Sequence, residues 1–368
     1  MFVQERYLTV EKKTILLTGC GGHFMADTID CFRNQDVDFE IIGVASKPDL
    51  FIASLCDHYI KVPVSSAPGY IDVLLELCKR FHVDVLIPTI DEEIYPLYLQ
   101  KAKFEKIGTK VSADKAGEFG SDKILFIQTL DRLGIPHPKY EAICSTQEFV
   151  DSLKKLGYPK KFICAKLPNK AGSRGVRIIR SDAFSYDRFE SEKPSSKFVD
   201  RDAFIAILGK KPYKIPVLLQ EFLPGDEYSV DLLADHGKVI CATGRRNIVI
   251  DNSIPMDSIL EWNEDAITIC KMFVEKCGLD GNIGFDFIFD EFGNPVPIEL
   301  NARLTATISL SAYGGYNMAY WQVLRLLGME LPTIPDLKNG RRIIRRLFPV
   351  YIDEDGIARH PEFWEGRP

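Results

Sequence analysis

The first hundred residues alternate short apolar runs with amphipathic stretches. Residues 14–18 (TILLT) predict a buried strand, followed by a glycine turn and a helix to about Arg33. The runs 40–44 (EIIGV) and 83–88 (VDVLIP) predict two more strands. Between them Ile71, Leu74, Leu75, Cys78 and Phe81 recur at helical spacing, which predicts a helix over 70–82. Strand–helix–strand units of this length imply a parallel sheet with right-handed crossovers.

Two helices should follow. Ser121 is the expected N-cap of one that ends at Gly134, with Pro136 beyond it. Ser145 and Glu148 form a capping-box pattern for a second that ends at Gly157 before Pro159. From 162 onward the pattern becomes strand-like, over 162–167, 176–181, 217–223, 228–234, 238–250, 283–290 and 295–303, mostly antiparallel with turns between. The polar stretch 182–202 reads as a mobile surface insertion.

Composition narrows the classes. The 368 residues suggest two or three domains at roughly 150 residues each. The 46% apolar and 27% charged residues exclude a disordered chain, a collagen-like repeat and a coiled coil. A net charge of −6 argues against a nucleic-acid binder, which needs a basic surplus. Nine scattered cysteines without a C-x-x-C pair suit reduced thiols in the cytoplasm. The N-terminus (MFVQERYLTVEKK) lacks a secretory h-region. The uncharged stretch 304–324 is too polar to cross a membrane, with Gly314-Gly315, Asn317 and Gln322 in it.

Gly19-Cys20-Gly21-Gly22-His23-Phe24 follows a strand and opens a helix, as a dinucleotide-binding turn does. Phe24 occupies the third glycine position, however, and the strand at 40–44 ends without a carboxylate for a ribose. A nicotinamide site is therefore disfavoured, although such a turn suits a small anion. The segment 283–303 (IGFDFIFDEFGNPVPIELNAR) is more informative. Pairing Asp290 with Pro295 sets Ile288 opposite Pro297 and Asp286 opposite Glu299, with Glu299, Asn301 and Arg303 on one face. Opposed like charges are destabilising unless a cation lies between them, and oxygen donors from Asp286, Glu299 and Asn301 suit Mg²⁺. Screened acids on an exposed hairpin are the alternative, which the apolar Phe285, Phe287, Ile298 and Leu300 disfavour.

Lys166 lies on a strand that runs into Lys170-Ala171-Gly172-Ser173-Arg174-Gly175. This loop suits phosphate, lacks the Walker ending, and reads equally as an ordinary hairpin loop. Lys123 alone would be a solvated surface lysine. Residues 217–228 (VLLQEFLPGDEY) are either a strand with its turn or a purine edge with a ribose-binding acid.

In this order the segments resemble the ATP-grasp ligases, particularly the synthetase domains of carbamoyl phosphate synthase, over roughly residues 14–330. The E-x-N-x-R strand with its upstream acid is the most specific feature, and 83–93 (VDVLIPTIDEE) resembles the family's N-terminal domain. The resemblance implies an α/β architecture: a Rossmann-like parallel-sheet domain over 1–115, an ATP-grasp domain over 116–340 and a tail over 341–368. Within the ATP-grasp domain it implies a lid at about 160–225 and a C-terminal antiparallel sheet. It implies ATP with two Mg²⁺, Mn²⁺ substituting. Lys123 and Lys166 would bind phosphates under a closing loop of Gly172, Ser173, Arg174 and Gly175. Gln220 belongs to the adenine segment, with Glu221, Phe222 and Leu223 as the hinge, Ile298 beneath the ring and Glu227 on the ribose. Asp286, Glu299 and Asn301 would hold metal, and Arg303, with Lys166, would act on the transferring phosphoryl. Arg246, with its neighbour Arg245, is a candidate for the acyl-phosphate or substrate carboxylate, or else a basic strand surface. His23 and the stretch from Tyr313 to Tyr316 are placed near an acceptor pocket by chain position alone.

The implied activity is activation of a carboxylate as an acyl-phosphate and its coupling to an amine. The small-molecule substrates would meet in a cytoplasmic protein with no nucleic-acid or membrane partner, a homodimer being left open. With one synthetase-like unit and no glutamine-hydrolysing segment, a stand-alone carboxylate–amine ligase is expected. The alternatives are a nucleotide-binding regulator of the same fold and phosphorylation of a carboxylate or carbamate as in carbamoyl phosphate synthase.

Overall fold

The computed structural model describes residues 12–346 except His23, Pro194, 210–215 and 252–253, together with 349–354 and the backbone of 358–359. Three sheets follow one another along the chain. The first contains β1 (Lys13–Leu17), β2 (Phe39–Ala45), β3 (His58–Lys61), β4 (Val85–Ile87) and β5 (Lys110–Val111) in the order β3-β2-β1-β4-β5. All its pairings are parallel. Ile15, Leu16 and Leu17 are fully buried, as a central parallel strand covered on both faces requires. The chain leaves β1 to one side and returns through β4 on the other, so the turns after β1 and β4 lie together at the switch point where such sheets bind ligands.

Glu93 ties that point together. Its buried carboxylate accepts from the Thr18 hydroxyl, from the Tyr70 hydroxyl at 2.6 Å, and from the N–H groups of Thr89 and Ile90 at 3.1 Å. Burial pushes its carboxyl above the ordinary range, and these donors oppose the push.

The second sheet has the order β6-β10-β7-β8-β9, with β6 (Tyr140–Ile143), β7 (Ile163–Lys166), β8 (Val176–Ile179), β9 (Phe198–Val199) and β10 (Val217–Glu221). It takes in β6 as well as the strands after 160, because β10 pairs antiparallel with β6 as well as with β7. The stretch 182–202 is also more structured than its polarity suggests. It contains the helix Tyr186–Ser191 and the strand β9, where the Arg180 and Arg188 guanidinium groups lie 5.4 and 4.4 Å from the Phe198 ring.

Helix ends depart from expectation in one place. Asp122, not Ser121, caps the helix Lys123–Arg132, since its carboxylate accepts from Ile124 and Leu125 N–H while Ser121 ends the preceding helix Ala116–Ser121. Ser145 does cap Thr146–Lys155, and Glu148 reaches back to Cys144 N–H at 2.6 Å.

The third sheet, β15-β14-β11-β12-β13-β16, comprises β11 (Glu227–Asp235), β12 (Lys238–Asp251), β13 (Ile254–Leu260), β14 (Gly281–Phe289), β15 (Pro295–Asn301) and β16 (Arg342–Ile344). All its pairs are antiparallel. Alternation gives it two unlike faces. Tyr228, Val230, Leu232, Phe285, Phe287 and Leu300 are buried in one core with Ala266, Ile267, Cys270, Phe273 and Val274 of the helix Glu264–Cys277. That helix starts at Asn263, whose side chain accepts from Ala266 N–H, and stops at Gly278 in the left-handed region. Ser229, Asp231, Arg245 and Asp286 alternate with these apolar positions and form the other face. The stretch 304–324 enters two short helices, Ile308–Tyr313 and Met318–Leu326, and among the described residues no helix is long and apolar enough to cross a membrane.

Gly244 shows how closely the apolar face is packed. A Cβ there would overlap the Tyr228 hydroxyl, itself donating to Glu261 O at 2.6 Å, and would stand 2.7 Å from that carbonyl. We expect Gly244→Ala to destabilise the protein by about 1–3 kcal/mol through overpacking, read as a lower thermal unfolding midpoint.

Candidate ATP and metal site

The acids meet as the sequence suggests, by a different route. Asp286 lies opposite Glu299, and Gly284 opposite Asn301. Nearer the turn the register shifts, so Ile288 faces Val296 rather than Pro297, and Phe289 rather than Asp290 faces Pro295. The bulge takes up one residue, Ile298, which restores the acid pair and leaves Ile298 half-buried.

A chain of hydrogen bonds fixes these groups across five strands. Ser258 Oγ donates to Asn247 Oδ1 at 2.9 Å, Asn247 Nδ2 to Ser229 Oγ at 3.0 Å, and Ser229 Oγ to Asp286 Oδ1 at 2.7 Å. Asn301 Nδ2 donates to Asp286 Oδ2 at 2.8 Å. Arg303 then forms a bidentate pair with Asp91, at 2.7 and 2.8 Å, and reaches Asn301 Oδ1 at 3.5 Å. Asp91 opens the helix Asp91–Glu105 directly after β4, so this pair joins the switch point of the first sheet to the edge of the third.

Lys123 is 5% exposed, not a solvated lysine. Its Nζ lies 2.8 Å from Glu299 Oε1 and donates to Lys170 O at 2.8 Å, so it tethers the glycine loop to the acids. Lys166 is buried on β7. In the loop, Gly172, Ser173 and Gly175 all have positive φ, of 61°, 55° and 77°. Gly175 has a second constraint, since a Cβ would stand 2.9 Å from the Leu167 side chain. A small cavity lined by Asp91, Glu92, Gly120, Asn169, Lys170 and Ala171 separates this loop from the switch point.

Gln220 is buried and Phe222 is 40% exposed. Glu221 N–H is taken by Lys139 O, Phe222 N–H by Phe162 O, and the Glu221 carboxylate by Lys139 N–H at 2.9 Å. Leu223 is buried beyond them. Burial raises the Glu227 carboxyl to about 7, reinforced by Asp286 and opposed by Lys197 and Arg245. Lys197 was not singled out from the sequence, because it lies in the polar stretch read as an insertion.

Alternation separates the two arginines on β12. Arg245 pairs with buried Asp231, which also accepts from Thr305 Oγ1 at 2.8 Å, and its Nε has no hydrogen-bond partner among the described residues. Arg246 is half-exposed on the other face, 3.0 Å from Glu261, so the structure does not bring it to the acids. Tyr313 lies at the surface under the Arg341 guanidinium, and Tyr316 packs on Trp321. His23 lies outside the described residues. Sequence reasoning also passed over Asp91, Ser229, Asn247 and Asp231. The acidic TIDEE run after β4 was the only signal for Asp91, and single polar residues inside apolar strands were the signal for the others.

The donor set fits Mg²⁺. Two carboxylates and an amide oxygen are hard oxygen ligands, and opposed acids need positive charge, which Lys123 and Arg303 supply in part. A second acidic group, Asp235, His236 and Asp280, already has Arg325 within 2.8 and 2.9 Å of its two carboxylates.

Residues 15–112 match the family described as PylC-like, N-terminal domain, and residues 214–345 match ATP-grasp in the biosynthetic pathway with Ter operon. The arginine-specific large chain of carbamoyl phosphate synthase from Bacillus subtilis is 24% identical over 93% of this chain and 32% of its own length. The large chain from Clostridium acetobutylicum is 22% identical over 68% of this chain and 23% of its own. The chain thus spans a third or less of the length of these relatives. The purK N5-carboxyaminoimidazole ribonucleotide synthetase in its ADP complex has a TM-score of 0.64 at 17% identity, over 88% of this chain and 79% of that one. The biotin carboxylase domain of the Hydrogenobacter thermophilus 2-oxoglutarate carboxylase has a TM-score of 0.65 at 17% identity, over 87% and 71%. The chain thus has the ATP-grasp fold, its residues 15–112 are similar to the PylC-like N-terminal domain, and it is similar in sequence to carbamoyl phosphate synthase large chains over most of its length.

Proposed function

We propose that the protein is a cytoplasmic ATP- and Mg²⁺-dependent ligase that activates a carboxylate as an acyl-phosphate and couples it to an amine, releasing ADP and phosphate. The observation that carries this reading is the Asp286–Glu299–Asn301 group with Lys123 and Arg303 against it. Phosphoryl transfer depends on positioning and on neutralising developing charge, and these groups supply both. The solved structures of the same fold include one described as a complex with MgADP and bicarbonate.

In this reading Asp286, Glu299 and Asn301 hold Mg²⁺, with Mn²⁺ as a substitute, and the metal supplies charge neutralisation for the phosphates. Lys123 and Lys166 bind phosphate oxygens, and the loop of Gly172, Ser173, Arg174 and Gly175 covers them. Leu223 offers its N–H to the purine edge, since the Glu221 and Phe222 N–H groups are engaged. Glu227 accepts from the ribose, and Ile298 lies beneath the base. Arg303, held by Asp91, stabilises the transferring phosphoryl. Of the two arginines considered as substrate anchor, Arg245, whose Nε has no partner among the described residues, takes that role rather than Arg246. The second sheet acts as the lid, excluding water from the acyl-phosphate.

The test is ADP and phosphate release from ATP and Mg²⁺ across a panel of amino acids and small carboxylates. Release should require one carboxylate and one amine and should vanish in Glu299→Gln. Nucleotide binding without release on any pair would favour a regulator, and failure to bind ATP would refute the reading.

Two further outcomes follow from the geometry. Asp91→Asn should lower turnover by up to about 100-fold through misplacement of Arg303, with nucleotide affinity unchanged in a binding titration. The second concerns Glu227, whose carboxyl lies at about 7 in the folded protein against an ordinary 4.5. An acid raised on folding favours the folded state most below the lower value, and that contribution falls as pH rises toward the higher one. Without nucleotide and metal, Glu227→Gln should therefore lose less thermal stability than the parent protein between pH 5 and about 8, read from unfolding midpoints.

A further inference from the structure

Two cysteines of the first domain face one another across a glycine. Gly43 lies in the middle of β2, opposite Leu17 of β1 and Tyr59 of β3. The point where its Cβ would stand is 2.6 Å from Cys56 Sγ and 3.2 Å from Cys20 Sγ, so the missing side chain leaves room for both sulfurs. Both thiols are free in the structure.

The two are not equivalent. Cys20 is fully buried in the turn after β1, with Sγ 3.3 Å from Leu17 O. Cys56 is half-buried at the end of the helix Leu50–Leu55. Arg33 brackets it, its Nη2 donating to Leu55 O at 2.9 Å and to Asp57 Oδ2 at 3.0 Å. The neighbouring Cys20 thiol and the Arg33 charge lower the Cys56 thiol, whereas the Cys56 thiol and burial raise Cys20. An accessible thiol with thiolate character beside a buried partner is the arrangement of a redox-responsive pair.

We propose that Cys56 and Cys20 form a reversible disulfide on exposure to a hydroperoxide, and that the bond regulates the proposed ligase site. Cys56 thiolate attacks a peroxide oxygen, forming a sulfenic acid and releasing hydroxide. Cys20 then attacks Cys56 Sγ, its proton leaving with the displaced hydroxide as water. The two thiols lose two electrons in total, and hydrogen peroxide is reduced to two waters.

The connection to the site is short. Gly19, next to Cys20, has φ +65°, and a Cβ there would overlap Thr89 Oγ1. Thr89 donates through Oγ1 to Thr18 O at 2.8 Å and through N–H to Thr18 Oγ1 at 2.9 Å. Two residues on, Asp91 holds Arg303. Forming the bond draws Cys20 Sγ from its carbonyl acceptor and displaces the turn packed on this segment. This regulatory part rests on the ligase reading, whereas formation of the disulfide does not.

The experiment treats the full chain with hydrogen peroxide, blocks remaining thiols with iodoacetamide and maps tryptic peptides by mass spectrometry before and after dithiothreitol. The expected product links peptides 14–33 and 34–61, with fragment ions placing the bond at Cys20 rather than Cys31, and it is absent from Cys56→Ser. Cys56 oxidised to higher acids without that link overturns the proposal. ATP turnover should fall about 5- to 150-fold on oxidation, recover with dithiothreitol and be insensitive to peroxide in Cys56→Ser. A fully linked protein with unchanged turnover overturns the regulatory part. If the reduced protein turns over no ATP while the link forms, the ligase reading fails and the disulfide stands.

Discussion

Asp286 and Glu299 are set directly across a strand pair, an arrangement that positive charge and donors from outside the pair must stabilise. Much of the surrounding structure supplies them. Ser229 and Asn301 each donate to one oxygen of Asp286, and Lys123 brings its ammonium to Glu299 from another element. Arg303 adds a guanidinium two residues along, fixed in turn by Asp91 from the first domain. The acid pair therefore determines where the helix Lys123–Arg132, the glycine loop and the switch point of the parallel sheet must meet.

This dependence explains why the third sheet has unlike faces. The face toward the helix Glu264–Cys277 is aromatic and aliphatic and provides the stability. The opposite face carries a continuous polar network, tolerable in a buried place because successive members satisfy one another. The unmet donor on Arg245 is an exception, and a substrate anion there would remove it. The turn after β1, which carries Cys20, touches the same network through Thr18, Thr89 and the segment that begins with Asp91.

Periodicity and glycine punctuation were enough to locate the parallel sheet, the long antiparallel strands and the acid hairpin, because those signals are local. Alternation within β15 put Glu299 and Asn301 on one face whatever the rest of the chain did, and Arg303 follows two residues past the end of that strand. The register nearer the turn was not legible, since a bulge at Ile298 depends on how the proline-rich strand fits its partner. The burial of Lys123 was opaque for the converse reason. A lysine's burial depends on what folds over it, and nothing in the neighbouring residues says so.

The sequence by itself thus determined the order of elements, the chemistry of the donors and the face on which the acids lie, all set by spacing along one or two strands. Tertiary structure alone decided which cation meets which acid. It chose Arg245 over Arg246 by the alternation of β12 against β11, and it brought Asp91 to Arg303 and Cys20 to Cys56. Those choices join residues far apart in the chain, so only the packing of separate elements fixes them.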